Sequence, residues 1–372
     1  MKQPAVTPLI PPNLCRAPSR PAPVCVVGTH WGETHLQALR QAAPGIRLFV
    51  CGRDPQRTRR IAGRWRAEDC FLGLETAVRD RRVGALTLAL PHQLHREAAE
   101  MALRAGKHVL VEKPIATTLA DADRMIDAAR QSGSVLMVAE NMHYRPTLAA
   151  VWRRVEAGDL GRPLHLLAQT GAPRHPRGWM ADRGQSGGGV FLDTGIHYVR
   201  AMRLFLGEPE RVTAFRPAQV RAEMSGEDGL VAVFSQPGGW QCQIVTTWAA
   251  ALDKLPDIVL AGDRGTFQLW PRAGFFDYYP IAPRPLTALA GRLRPHWLRA
   301  RMMRPEWQRV RVRMGGPDDG YREEMCAFLN AIATGSTGLE SAVAARRDLE
   351  IVLCVYRSME SGRAEEIPPC TN

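Results

Sequence analysis

The first regular signal in the chain is a short apolar run, Val24–Val27, ending at Gly28. His35, Leu36, Leu39 and Arg40 follow at three- and four-residue steps, the period of an amphipathic helix. The alternation then repeats. Ile46–Cys51 is a second apolar run, broken by Gly52 and the turn pair Asp54-Pro55, and Arg57–Trp65 has a helical pattern. Ala85–Leu90 ends at Pro91, and His95–Ala105 is a helix with Gly106 as its C-cap. His108–Glu112 precedes Pro114, Leu119–Gln131 is a helix stopped near Gly133, and Val135–Ala139 is one more strand. Several of these strands lack polar alternation, as strands covered on both faces do. The pattern predicts an α/β doubly wound parallel sheet of the Rossmann type over residues 24–143.

After about residue 144 the rhythm changes. Leu164–Thr170, Arg211–Phe215, Leu230–Ser235, Trp240–Trp248, Ile258–Ala261, Thr266–Trp270 and Val310–Val312 read as strands, two of them joined through Pro237-Gly238-Gly239 as a hairpin. One strong helix, Val190–Leu206, interrupts them, and Tyr321–Ala333 and Val343–Ser361 are terminal helices. Residues 144–372 are therefore expected to form an α+β domain with a mainly antiparallel open sheet. Residues 1–23, with seven prolines, read as a disordered arm.

Composition narrows the class. No apolar run of the 372 residues approaches the roughly 18 needed to span a membrane, and the start has no apolar leader core. The eight cysteines form no CxxC pair, so neither a disulfide framework nor a metal site is expected; a reducing, cytoplasmic setting is. The net charge of +12 invites a nucleic-acid reading, yet arginine outnumbers lysine 45 to four along the whole chain. A general arginine bias accounts for that without a nucleic-acid face. The densest basic stretch, Arg284–Arg313, has nine arginines against Glu306, with Trp297 and Trp307 interleaved. It reads as a solvated insertion; the sharper alternative is a dock for an acidic carrier protein or a phosphate-bearing substrate.

Five places carry candidate chemistry. The first strand runs into Gly28-Thr29-His30-Trp31-Gly32, a turn that leads into a helix N-terminus and so suits a pyrophosphate. At the end of the second strand Gly52 stands where an acid would bind the ribose of NAD, and Arg53 follows, which favours NADP; Asp54, if it swung in, would favour NAD. Leu90, Pro91 and His95 follow a buried strand, and Glu112-Lys113-Pro114 ends the next one, where a partly desolvated lysine is expected to have a lowered pKa and to transfer protons. Gly187-Gly188-Gly189 precedes Asp193 and His197, four apart on one helical face.

In order, these motifs resemble the Gfo/Idh/MocA family of glucose–fructose oxidoreductase and inositol dehydrogenase. The similarity runs from about Val24 to Pro368 and includes Asn141-Met142-His143-Tyr144-Arg145-Pro146 and Leu206-Gly207-Glu208-Pro209. It implies hydride transfer between a bound nicotinamide, NADP or NAD, and a sugar, polyol or related carbonyl or imine. Lys113 and His197 would assist proton transfer, and Asp193 would orient His197 or bind substrate. Gly28, His30, Trp31, Gly32, Arg53, Leu90, Pro91, His95, Glu112 and Lys113 would line the cofactor. A homo-oligomer is expected from the open sheet. Gly-x-x-x-Gly-Glu also resembles thiazolinyl imine reductases, which act on carrier-bound intermediates. A glycosidase working by transient oxidation with retained NAD, and a non-enzymatic dinucleotide sensor, are the other readings.

Overall fold

The computed structural model describes residues 17–252, 254–281, 307–312 and 320–370. Most of the Pro-rich arm and of Arg284–Arg313 lies outside these residues.

The first half alternates strand and helix: β1 (Val24–Val27), α1 (Gly32–Ala42), β2 (Leu48–Cys51), α2 (Pro55–Arg64), β3 (Asp69–Phe71), α3 (Leu74–Arg79), β4 (Ala85–Leu88), α4 (His95–Arg104), β5 (His108–Glu112), α5 (Leu119–Ser132) and β6 (Leu136–Ala139). All six strands are parallel in the order β3-β2-β1-β4-β5-β6. This is the doubly wound arrangement whose order reverses between β1 and β4, where such sheets bind their ligands. Alternate residues feed the two faces. Val24, Val26, Leu48 and Val50 enter one core; Cys25, Val27, Phe49 and Cys51 enter the other.

Register fixes the site. Val27 pairs with Leu88, Leu88 with Val111, and Glu112 with Ala139. The loops after β1, β4, β5 and β6 therefore emerge side by side at one edge of the sheet.

The second half begins with α6 (Pro146–Glu156), a helix the sequence pattern does not single out, followed by β7 (Pro163–Gly171), α7 (Arg183–Ser186), and α8 (Ile196–Leu206). Strands β8 (Arg211–Phe215), β9 (Gly229–Ser235), β10 (Gln241–Thr247), β11 (Ile258–Gly262), β12 (Gly265–Trp270), β13 (Phe275–Pro280) and β14 (Gln308–Arg311) come next. Helices α9 (Tyr321–Thr334) and α10 (Leu339–Ser361) and the short β15 (Glu365–Glu366) finish the chain. The nine strands described form one sheet, β14-β13-β12-β11-β7-β10-β9-β8-β15. Every neighbouring pair is antiparallel except β7 and β10. The hairpin expected at Pro237-Gly238-Gly239 joins β9 to β10, with Gly238 at φ +68°.

The terminal helices bind the halves together. Met325, Phe328 and Leu329 of α9 share the core of Val24, Val26 and Leu36. Helix α10 packs on both β6 and β8. The expected helix Val190–Leu206 opens with a π-helical turn, Phe191–Gly195, before α8. Such wide turns recur at functional sites.

Candidate active site

The glycine turn after β1 is shaped for close approach. Gly28 has φ +111°, and a Cβ there would lie 2.1 Å from the Ala89 carbonyl oxygen in the loop after β4. At Gly32 a Cβ would lie 2.9 Å from Val26 Cγ1, so glycine lets α1 sit directly on its strand. The N-cap of α1, Trp31, gives no side-chain cap. The backbone N–H groups of Thr29, His30, Trp31 and Gly32 have no acceptor among the described residues. Four adjacent free donors at the start of a helix of 11 residues fit the pyrophosphate of a dinucleotide.

After β2 the arginine that reaches the glycine turn is Arg57 and not Arg53. Arg53 is exposed and makes no hydrogen bond or ion pair among the described residues. Arg57 instead donates from Nε and Nη2 to the Thr29 carbonyl oxygen at 3.1 and 2.8 Å, and its Nη2 lies 3.1 Å from His30 Nδ1. Asp54 does not swing inward; it caps α2 by accepting the Arg57 N–H at 3.0 Å. Gly52 is required, because a Cβ there would lie 2.4 Å from Thr58 Oγ1 and 2.6 Å from Thr29 Cγ2. The place of the usual ribose-binding acid is closed.

Glu112 is a buried hub. Its Oε1 accepts from Trp31 Nε1 and His35 Nε2, both at 2.8 Å, and its Oε2 accepts the Lys113 N–H at 3.2 Å. Burial alone would raise this carboxyl, but the His35 hydrogen bond and the charges of His35, Lys113 and His95 hold it below its usual range. Trp31 is thus an anchored indole, 51% exposed and edge-on to Tyr321.

Lys113 donates from Nζ to the Asp193 carbonyl oxygen at 2.6 Å and to Asp193 Oδ1 at 2.9 Å. The expected lowered lysine pKa does not hold. Burial does push it down, but Asp193, Glu112 and Glu140 surround the ammonium and raise it above its ordinary value. Burial would raise Asp193, yet Lys113 holds its carboxyl far below the usual range. Asp193 is not spent on the helix start either. There the buried Glu227 accepts the N–H groups of Gly189 and Phe191 at 2.9 Å, and Tyr356 Oη accepts those of Gly189 and Leu192 at 3.2 and 3.1 Å. The glycines fit this packing: a Cβ at Gly188 would lie 2.1 Å from Tyr356 Oη.

His197 is oriented by a residue the motif reading omits. Its Nδ1 lies 2.6 Å from Glu140 Oε1, so Nδ1 carries the proton and Nε2 has no partner among the described residues. Glu140, at the end of β6, is 4% exposed; burial raises it, but His197 chiefly, with Arg200 and Lys113, brings it down to about 2. The implied role of Asp193 in orienting His197 thus falls to Glu140. Only the juxtaposition of a strand end with a helix 57 residues later reveals the pair.

Two histidines of the loop after β4 differ. His95 is fully buried, with Nδ1 and Nε2 at 2.9 and 3.0 Å from the carbonyl oxygens of Pro114 and Leu90, so it ties two strand-end loops together. His92, not singled out from sequence, lies 2.8 Å from the Ser186 carbonyl oxygen through Nδ1 and packs edge-on to Trp179. Burial, helped by His95 and Lys113, lowers it to about 3. It lines a small pocket with Trp179, Ser186, Asp193 and Trp248. Pro91 and Leu90 lie half-buried beside it.

The chain has counterparts among known proteins. Residues 23–140 match the family model described as an oxidoreductase family with an NAD-binding Rossmann fold, and residues 148–268 match the GFO/IDH/MocA C-terminal domain. The chain belongs to the Gfo/Idh/MocA oxidoreductase family. It is 37% identical over 163 residues to 1,5-anhydro-D-fructose reductase of Ensifer adhaerens, covering 42% of this chain and 48% of that one. It is 32% identical over 204 residues to dTDP-3,4-didehydro-2,6-dideoxy-alpha-D-glucose 3-reductase of Saccharopolyspora spinosa, covering 55% and 60%. The matches span about half the length of these curated relatives. Levoglucosan dehydrogenase in complex with NADH and levoglucosan superposes with a TM-score of 0.79 at 20% identity, over 93% of this chain and 99% of that one, a likeness of fold. Among the described residues no helix is long and apolar enough to cross a membrane.

Proposed function

We propose that the protein is an NADP(H)-dependent oxidoreductase that interconverts a carbonyl and an alcohol on a sugar-like substrate. The observation that carries this reading is the pair of locked contacts, Lys113 on Asp193 and His197 on Glu140, beside a glycine turn with four free N–H donors. The names of the reductases and dehydrogenases it resembles support the substrate class. The closed position at Gly52 and the arginine beside the turn support a 2′-phosphate over a bare ribose.

When bound, the nicotinamide supplies or accepts the hydride. His197 Nε2 takes the hydroxyl proton in oxidation and returns it in reduction, while Glu140 holds the imidazole in one tautomer and balances its charge. Lys113 keeps its proton at neutral pH, so it acts as a fixed ammonium that donates to the reacting oxygen and stabilises negative charge there. Asp193 positions that ammonium. His92, held neutral, adds a polar ring without a competing charge.

The test is transfer of label. With [4-2H]NADPH and a panel of keto-sugars and anhydro-sugars, deuterium should appear on the product carbinol carbon. Stable binding of NADPH without transfer to any carbonyl, imine or sugar would favour the sensor reading instead.

A further inference from the structure

Gly187, Gly188 and Gly189 each meet a different element. A Cβ at Gly187 would lie 2.8 Å from Thr117 Cγ2, in the loop that follows Lys113. One at Gly188 would strike the Tyr356 ring and hydroxyl on α10, and one at Gly189 would lie 2.0 Å from the Glu227 carbonyl oxygen, just before β9. In return, a Cβ at Gly226 would lie 2.9 Å from the Gly188 carbonyl oxygen. Three parts of the chain thus close on this turn, and only glycine lets them.

A helix leaves its first N–H groups without partners of its own. Here two buried residues take them up. The Glu227 carboxylate accepts those of Gly189 and Phe191, its carbonyl oxygen accepts that of Val190 at 2.9 Å, and Tyr356 Oη accepts that of Leu192. Tyr356 in turn donates to Glu227 Oε1 at 3.0 Å. The four donors of the glycine turn after β1 are free, whereas these four are spent. The second glycine turn is therefore a clamp and not an anion site.

The clamp reaches Lys113 through the main chain. The Asp193 N–H bonds the Gly189 carbonyl oxygen at 3.1 Å, inside the wide turn Phe191–Gly195. Lys113 Nζ donates to the Asp193 carbonyl oxygen as well as to its carboxylate, so one of the two contacts that place the ammonium moves with the backbone of the turn. Neither Glu227 nor Tyr356 hydrogen-bonds Lys113 or His197. Resting on the oxidoreductase reading, we infer that Glu227 and Tyr356 are positioning residues for the reaction: they clamp the glycine turn so that Asp193 holds the Lys113 ammonium at the reacting oxygen.

The experiment uses the full chain labelled with [15N]lysine and read by NMR of its side-chain ammonium groups. The chain has four lysines, so the signals are few, and that of Lys113 is the one lost in Lys113→Arg. Lys107, which donates to the Asp80 and Val83 carbonyl oxygens, is the internal reference. In Tyr356→Phe and in Glu227→Gln, each checked for folding by its melting transition, the Lys113 signal should shift or be lost to faster exchange with water while that of Lys107 stays in place. Their kcat should fall by about 10- to 100-fold with the KM for NADPH unchanged. A Lys113 signal that stays in place in both variants, or an unaltered kcat, overturns the inference and leaves the clamp a merely structural feature. A wild-type chain that transfers no hydride fails the oxidoreductase reading itself, and the Lys113 signal then still decides whether the clamp sets the ammonium.

Discussion

Glu140 at the end of β6 and His197 in the first turn of α8 meet at 2.6 Å. The contact fixes the imidazole tautomer and ties the helix that carries Asp193 to the parallel sheet. Glu140→Gln keeps an acceptor but removes the charge that balances a protonated His197. Its kcat should fall by about 10- to 100-fold, with NADPH affinity unchanged. Steady-state kinetics beside a fluorescence titration separates the two, and an unaltered kcat counts against the positioning role.

Lys113 tests whether charge alone suffices or whether the donor must also be placed. Lys113→Arg keeps a cation against Asp193 and Glu112, but its larger planar guanidinium does not place a donor where the ammonium sits. It should retain its melting temperature and cofactor binding while kcat drops by about 10²- to 10³-fold. Lys113→Met strands two buried carboxylates and should cost about 3–5 kcal/mol of stability. An arginine variant with full activity would contradict the role of Lys113 as a placed donor to the reacting oxygen.

Acid sensitivity should begin with histidines. Burial lowers both His92 and His143 from 6.5 to about 3. Between those values the unfolded chain takes up protons that the native state refuses, so stability falls as pH drops below 6.5. Glu140, lowered from 4.5 to about 2, adds a loss below pH 4.5. Melting temperature followed from pH 8 to 4 should decline from near 6.5, and His92→Gln or His143→Gln should flatten that decline. A flat curve down to pH 5 would contradict it.

Gly52→Asp tests the closed ribose position. The new Cβ meets Thr58 Oγ1 and Thr29 Cγ2, so the variant should melt several degrees lower and should not become a tight NADH binder. Arg57→Leu releases the Thr29 carbonyl oxygen and should weaken NADPH by about tenfold with little change for NADH. Equal loss for both nucleotides would assign Arg57 to the turn alone.

Five of the six strands of the parallel sheet are legible because each is built on an apolar run. β3 escapes notice because it is three residues long with Asp69 exposed. Gly28, Lys113, Asp193 and His197 are recognisable as motifs, since each depends on local spacing. Glu140, His92 and Arg57 are not, because each works through a partner distant in sequence: His197, Ser186 and Thr29. The lysine pKa was expected in the wrong direction for the same reason. Desolvation is readable from a strand end, whereas three carboxylates converging from different loops are not.

The most direct test is titration of the purified protein with NADPH and with NADH, followed by nicotinamide fluorescence, after a check for co-purifying nucleotide. Exchangeable NADPH binding, tighter than NADH, is expected from the free N–H donors of the glycine turn and the closed position at Gly52. Binding of neither nucleotide would contradict the proposed function, and NAD that stays bound through purification would point to chemistry in which the cofactor is recycled in place.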